Sequence, residues 1–328
     1  MRLGITAFCL FTISAAAADR TLTIRHAGST QAQNELATAV RSILELPSVN
    51  TDTDRRTLTI SGTDTQIAAA EWLLAELDKP AAQLGDKSLA SRVFRMEAMG
   101  EEGLRVFYLQ GSREVRQLQE TATIIRSIVE TRRLFTYNQV LGIVVRGTPV
   151  QLDAAEWLWR TLEANTPAPR VEEFRAGFTD GQPVLRAYRM PMEWSVPQLQ
   201  EAATLLRAIV EIRRVFTFNG TRTILTRGDE ESLAAANWVA TETQRPASAD
   251  LAVSAPYRMA DPRDEGLLRV FRLPAAKYDA AGLQRIATDL RAQTQIRRIF
   301  TFNTPRMIAL RGTGEQIAHA ERILTAAK

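Results

Sequence analysis

Apolar residues in this chain follow two rhythms that take turns. Leu118, Ala122, Ile125 and Val129, and again Leu199, Ala203, Leu206 and Val210, recur at steps of four, three and four, the spacing of one buried helix face. Short β-branched and aromatic runs precede such helices: Thr21-Leu22-Thr23-Ile24, Arg105-Val106-Phe107-Tyr108, Arg186-Ala187-Tyr188-Arg189 and Arg269-Val270-Phe271-Arg272 have strand character. Behind three of the helices stands one phrase: Arg-Arg-Leu-Phe-Thr-Tyr-Asn at 132–138, Arg-Arg-Val-Phe-Thr-Phe-Asn at 213–219 and Arg-Arg-Ile-Phe-Thr-Phe-Asn at 297–303. Its arginines fall at the helix exit, where a cation meets the negative end of the helix dipole. Its aromatic, Thr and second aromatic alternate at period two, predicting a strand, and Asn138, Asn219 or Asn303 opens a turn into the next strand.

The phrase sets a ruler. Arg133, Arg214 and Arg298 each stand fourteen residues before a glycine, Gly147, Gly228 and Gly312. The same ruler carried back from Gly62 lands on Ser48, where the phrase is lost but the later residues match: Ala70-Glu71-Trp72-Leu73 parallels Ala155-Glu156-Trp157-Leu158. After the glycine a second helix starts. Thr63-x-x-Gln66, Thr148-x-x-Gln151 and Thr313-x-x-Gln316 have capping-box spacing, and Asp229 caps alone in the third repeat. The expected fold is α+β: four tandem β-α-β-β-α modules at 19–80 (divergent), 92–164, 172–243 and 256–328. The last three each gain an N-terminal hairpin strand, from Arg92-Val93-Phe94-Arg95-Met96, Glu173-Phe174-Arg175 and Pro256-Tyr257-Arg258-Met259.

The N-terminus changes this picture first. Met1-Arg2, the apolar run Leu3 to Ile13 and the Ala-x-Ala site predict a signal peptide over 1–18, cleaved after Ala18. The run is too short to span a bilayer and no later stretch is long enough, so the mature chain is expected to be periplasmic or secreted, without a transmembrane segment. Cys9, the sole cysteine, lies inside that signal, which excludes thiol catalysis and cysteine metal sites from the mature protein. A net charge of +4 is weak for a nucleic-acid binder, yet only Lys79, Lys87, Lys277 and Lys328 are lysines and the other basic residues are arginine.

A strand ending in Gly-Thr and a helix of the type Gln-Ile-Ala-x-Ala-Glu-x-Leu-Leu, as in Leu58 through Pro80 and again Met307 through Leu324, resembles the N-domains of bacterial secretins. The resemblance covers nearly the whole mature chain as four modules, and its motifs are structural. It implies a KH-like topology and a non-catalytic, ring-building or partner-docking role in the periplasm, in a chain that shows no series of alternating strands for a channel up to Lys328.

Catalytic and ligand chemistry finds little to work with. His26 and His319 have no partner at triad or ligand spacing, and Asp52-Thr53-Asp54 lacks the Gly and the terminal Glu of a calcium loop. Neither a catalytic residue, a metal nor a cofactor is expected. The sole Gly-x-x-Gly, Gly100-Glu101-Glu102-Gly103, falls between strands and carries acid where a KH loop would hold phosphate. Nucleic acid is therefore an unlikely partner. The alternative reading keeps Arg132, Arg133, Arg213, Arg214, Arg297 and Arg298 as contacts for nucleic acid or another anionic polymer. The favoured reading expects a protein partner or self-association, and an extra apolar stripe on the first helices, Ile124, Ile128, Leu205 and Ile209, with Trp157 and Trp238, is expected to face other modules or another subunit. The last module has Asp289, Gln293 and Arg322 at those positions, as suits a terminal repeat with no neighbour. Phe216 and Phe218 are expected to share a strand face, at least one of them under its own module's helices.

Overall fold

A computed structural model describes residues 18–80, 90–96, 102–110, 114–164 and 169–326. The expected signal segment lies outside the described residues except for Ala18, as do Gly100 and Glu101 of the Gly-x-x-Gly stretch. The first module runs β1 (Ala18–Thr23), α1 (Thr30–Leu44), β2 (Ser48–Asp52), β3 (Thr57–Gly62) and α2 (Asp64–Leu77). The second runs β4 (Phe94–Arg95), β5 (Gly103–Tyr108), α3 (Val115–Val129), β6 (Arg133–Tyr137), β7 (Gly142–Gly147) and α4 (Pro149–Glu163). The third is β8 (Arg170–Arg175), β9 (Val184–Arg189), α5 (Val196–Leu205) ending in a π turn, β10 (Arg214–Phe218), β11 (Thr223–Gly228) and α6 (Glu230–Thr243). The fourth is β12 (Ala252–Val253), β13 (Tyr257–Arg258), β14 (Leu267–Arg272), α7 (Ala280–Thr294), β15 (Arg298–Phe302), β16 (Met307–Gly312) and α8 (Gly314–Ala326).

Every module owns one antiparallel sheet, in which the strand after the phrase sits between the phrase and the first strand: β1-β3-β2, β4-β5-β7-β6, β8-β9-β11-β10 and β14-β16-β15. The added strands β4, β8 and β13 pair with β5, β9 and β14, and β12, which the sequence pattern did not predict, also pairs with β14. The chain divides into two compact units, one holding the residues up to Leu118 with Arg132–Leu152, the other Gln119–Thr131 with the residues from Asp153 on.

The central strands record how many faces of each sheet are covered. In β3, Thr57, Thr59 and Ser61 are half-buried while Leu58, Ile60 and Gly62 are buried, the alternation of a sheet packed on one side. In β7, β11 and β16 every residue is buried. These strands are apolar or tightly bonded on both faces.

The glycines that end these strands are explained by the helix start beyond them. The Thr63, Thr148 and Thr313 backbone N–H groups each donate 3.0 Å to the side chain of Gln66, Gln151 or Gln316, whose own N–H returns to the threonine hydroxyl at 3.3 Å. A Cβ added at Gly147 or Gly312 would stand 2.7 or 2.8 Å from the Oε1 of the capping glutamine. In the third module, where Asp229 accepts from Ser232 N–H at 2.8 Å, no such glutamine is present and a Cβ at Gly228 meets nothing closer than 3.4 Å. Gly312→Ala is therefore expected to cost about 1 kcal/mol through the lost box, and Gly228→Ala to stay within about 0.5 kcal/mol. Thermal denaturation of the two variants beside the parent checks this, and equal losses would mean that the glutamine is not what excludes the methyl group.

Candidate functional site

The repeated phrase is spent on joining each module to the one before it. The first helix of each of the first three modules stops at a glutamate in the left-handed conformation, Glu45, Glu130 and Glu211, with φ of 54°, 58° and 67°. Such a backbone favours glycine, so a charged residue there has a strained start to offset. Each carboxylate accepts two guanidinium groups from the following module. Arg133 reaches Glu45 at 2.8 Å, Arg214 bonds Glu130, and Arg298 reaches Glu211 at 2.9 Å. The second cation is the arginine just before the strand-ending glycine: Arg146, Arg227 and Arg311 lie 3.4, 3.5 and 3.2 Å from the same glutamates.

Those three arginines are the chemical centre of the contact. Their side chains are 3%, 1% and 5% exposed. A charge buried that far is tolerated only when its donors are met. Each donates to a carbonyl in the last turn of the preceding first helix, Ile43 at 3.0 Å, Ile128 at 2.9 Å and Ile209 at 3.1 Å, where no intrahelical partner exists. Each also meets an acid in its own module's hairpin turn, Glu102 at 2.7 Å, Asp180 at 2.6 Å and Asp261 at 2.7 Å. Burial lowers the Arg227 pKa from the ordinary guanidinium value while Asp180 and Glu130 oppose the shift, and its guanidinium carbon lies 3.5 Å from the centre of the Phe178 ring.

Three further contacts recur. The turn asparagines point back to a glutamate on the preceding first helix: Asn138, Asn219 and Asn303 donate their backbone N–H to Glu35, Glu120 and Glu201 at 3.3, 3.0 and 3.0 Å. Burial raises the pKa of Glu35 and Glu201 above the usual carboxylate value, against the hydrogen bond from Asn138 or Asn303. The tryptophans of the second helices pack on the hairpin aromatic of the next module, Trp72 on Phe94 at 5.4 Å, Trp157 on Phe174 at 5.8 Å and Trp238 on Tyr257 at 5.5 Å. One turn further along each second helix, Glu76 accepts from the Tyr108 hydroxyl at 2.6 Å, the Thr161 carbonyl accepts from Arg189, and Glu242 pairs with Arg272.

The phrase aromatics correct the expectation that at least one of each pair lies under its own module's helices. Phe135 and Tyr137 pack into the core of the first module with Leu36 and Val40, and Phe300 and Phe302 into that of the third with Leu205 and Ile209. Ile299, next to Phe300, faces its own helices with Leu283 and Leu290. Alternation along one strand thus serves two modules. Phe218 is fully buried and stands outside the core cluster of its own module.

The apolar stripe of the first helices is covered. Ile124, Ile128, Leu205 and Ile209 are all at most 2% exposed, and Leu205 and Ile209 share a cluster with Met307 and Ala309 of the fourth module. Arg133, Arg214 and Arg298 are each held by acids of two modules, whereas Arg132, Arg213 and Arg297 are exposed and make no hydrogen bond or ion pair among the described residues. Half of the expected anion contacts are thus already neutralised within the chain. Asp52 accepts from Arg55 N–H at 2.9 Å as part of a turn. Among the described residues no group of His, Cys, Asp and Glu is arranged to hold a metal ion. The left-handed glutamates and the buried arginines escape a reading of the sequence alone, although a Glu at one fixed position in three repeats and a Gln in the fourth is a visible signal.

No protein-family model and no curated protein matches the chain. Among solved structures it is similar to the N-terminal domain of the secretin XcpQ from Pseudomonas aeruginosa, at 13% identity and a TM-score of 0.20, over 45% of this chain and 62% of that one. It is also similar to the Escherichia coli K12 type II secretion system secretin GspD, at 10% identity and a TM-score of 0.17, over 73% of this chain and 41% of that one. Aeromonas hydrophila ExeD matches at 11% identity and a TM-score of 0.17, over 91% of this chain and 60% of that one. The chain thus spans less than two thirds of the length of these secretin structures.

The junction chemistry sets two expected outcomes. Arg311→Met, which strands Asp261 and the Ile209 carbonyl, is expected to cost about 3–5 kcal/mol in chemical denaturation, and Arg297→Ala no more than about 0.5 kcal/mol. Equal effects would remove the distinction drawn between the two arginines. For Glu201 the folded-state pKa is raised, so the folded protein binds the proton more tightly and the ionised carboxylate lowers stability at neutral pH. Glu201→Gln keeps the acceptor for Asn303 and is expected to melt at or above the parent at neutral pH, the difference closing as pH falls through the ordinary carboxylate range near ~4. A variant that melts below the parent at neutral pH would show that the charge itself is needed.

Proposed function

We propose that this protein is an exported, non-enzymatic scaffold or adaptor of the periplasm that engages protein partners or further copies of itself. The observation that carries the reading is the fate of the phrase. The second arginine, the aromatics and the asparagine of each phrase are consumed in fixing module to module, so this repeated chemistry is spent on holding surfaces in place and not on a reactive site. The resemblance of the modules to secretin N-domains suggests work beside a secretion or pilus-type envelope system. The signal peptide belongs to this proposal, with the mature chain starting at Asp19.

Fractionation of intact cells is expected to find the chain in the periplasm with Asp19 as its first residue. Crosslinking in those cells, read by mass spectrometry of the joined peptides, is expected to give pairs between this chain and an envelope protein or between two of its copies. A cytoplasmic chain that keeps Met1, or crosslinks confined to pairs within one molecule, would overturn the proposal.

A further inference from the structure

The residues that join modules change together at two places, while those that hold a single module change little and stay buried. On α7, Arg285 stands where the earlier first helices carry Glu35, Glu120 and Glu201, and Gln295 where they end in the left-handed glutamate. Asp289 and Gln293 replace the apolar pair seen as Leu205 and Ile209, and Arg322 on α8 replaces the tryptophan. Arg285, Asp289, Gln293, Gln295 and Arg322 are all exposed. Yet α7 still buries Leu283, Ala287 and Leu290, and Arg291 still donates to the Ile299 carbonyl of its own sheet at 2.9 Å, as Arg41 and Arg207 do to Val49 and Val215.

The sheet of the first module shows the mirror of this. Ser48 and Ser61 occupy the positions of the two junction arginines, and Asn50 and Asp52 those of the two phrase aromatics. The turn asparagine becomes Thr53 between Asp52 and Asp54. The alternate residues Val49, Leu58 and Ile60, which face the module's own helices, remain apolar and at most 2% exposed. Drift in tolerant repeats would alter both sets to the same degree. The junction set has changed at nearly every position on both faces, whereas the modules' own helix stripe has changed at one position in each, Gln33 for Leu199 and Thr294 for Val210, and both replacements stay buried.

We infer that the α7 face and the first module's sheet face reject the junction that joins the modules within the chain, so that copies of this protein do not add to one another through it. A helix carrying the junction glutamates would meet Asp52 and Asp54 where it needs N–H donors. A sheet carrying the buried arginines would meet Arg285 and a neutral Gln295, leaving cations desolvated without their acceptor. Between two copies Arg285 would face Asp52 and Asp54, but this exposed pair would stand without the buried arginines, the phrase aromatics and the apolar stripe that seat each inner junction.

Grafting the inner residues onto each outer face of the full chain tests this. One variant carries Arg285→Glu, Asp289→Leu, Gln293→Ile and Gln295→Glu, as on α5; the other carries Ser48→Arg, Asn50→Phe, Asp52→Phe and Ser61→Arg, as on the fourth module's sheet. Light scattering is expected to show a doubling of mass when the two are mixed, absent from either variant alone and from the parent. Folded variants, by circular dichroism, that fail to associate would overturn the inference. So would a parent that associates and is dissociated by Arg285→Ala or Asp52→Asn, since Arg285 would then be binding the acidic turn. The reciprocal exchange guards against misfolded grafts: Glu201→Arg with Glu211→Gln in α5 is expected to split a separate, lower-melting transition from the calorimetric profile. An unchanged profile would count as a failure, and neither result bears on export.

Discussion

Each first helix of the first three modules ends against an arginine that belongs to the next. The last carbonyls of a helix have no partner in the helix, and a guanidinium shut away from water needs acceptors for its donors. Arg146, Arg227 and Arg311 solve both problems with one contact, because the carbonyl of Ile43, Ile128 or Ile209 and the carboxylate beyond it are supplied by the same helix end. The donors of the guanidinium are fixed in a planar fork, so one side chain ties helix end, left-handed glutamate and hairpin acid together. The aromatic contacts and the asparagine turn fall into register around that point.

The result is a set of modules that share their cores. Residues of β15 alternate between two hydrophobic clusters, Ile299 in one and Phe300 and Phe302 in the other, so the third module does not close its core without the fourth. Stability in such a chain is a sum of module terms and neighbour terms, and here the neighbour term contains buried charge, aromatic stacking and apolar area together. The first module's sheet, with Thr57, Thr59 and Ser61 on the second face of β3, is the one that carries its own solvation.

The fold was legible in the sequence because its signals are local. Helix faces, capping boxes and the glycines beside them depend on residues three or four apart, and repetition made each of them visible more than once. The added strand β12 was missed because two residues, Ala252–Val253, are too few to show alternation, and the full length of β8 because the charged edge strand Arg-Val-Glu-Glu-Phe-Arg carries none. The junction was half legible. The stripe of Leu205 and Ile209 and the polar replacements on α7 could be read from periodicity, but the partner of Glu211 stands 100 residues away at Arg311. The phrase misled for a physical reason: alternation says that two strand faces differ, and nothing in it says which neighbour covers which face.

The solvated sheet of the first module also bears on the order in which the modules fold. Whether a chain emerges from a ribosome or from an export channel, its N-terminal modules come first, and domains fold as units. Had the earliest module carried Phe, Phe and a buried arginine on its outer face, as β15 and β16 do, it would wait with that surface bare. With Thr21, Thr59 and Asn50 there instead, only its α1 side waits for a neighbour, with Glu35 and Glu45 placed to receive the next sheet. Each later module would then meet a helix already formed, which favours assembly from the N-terminus onward.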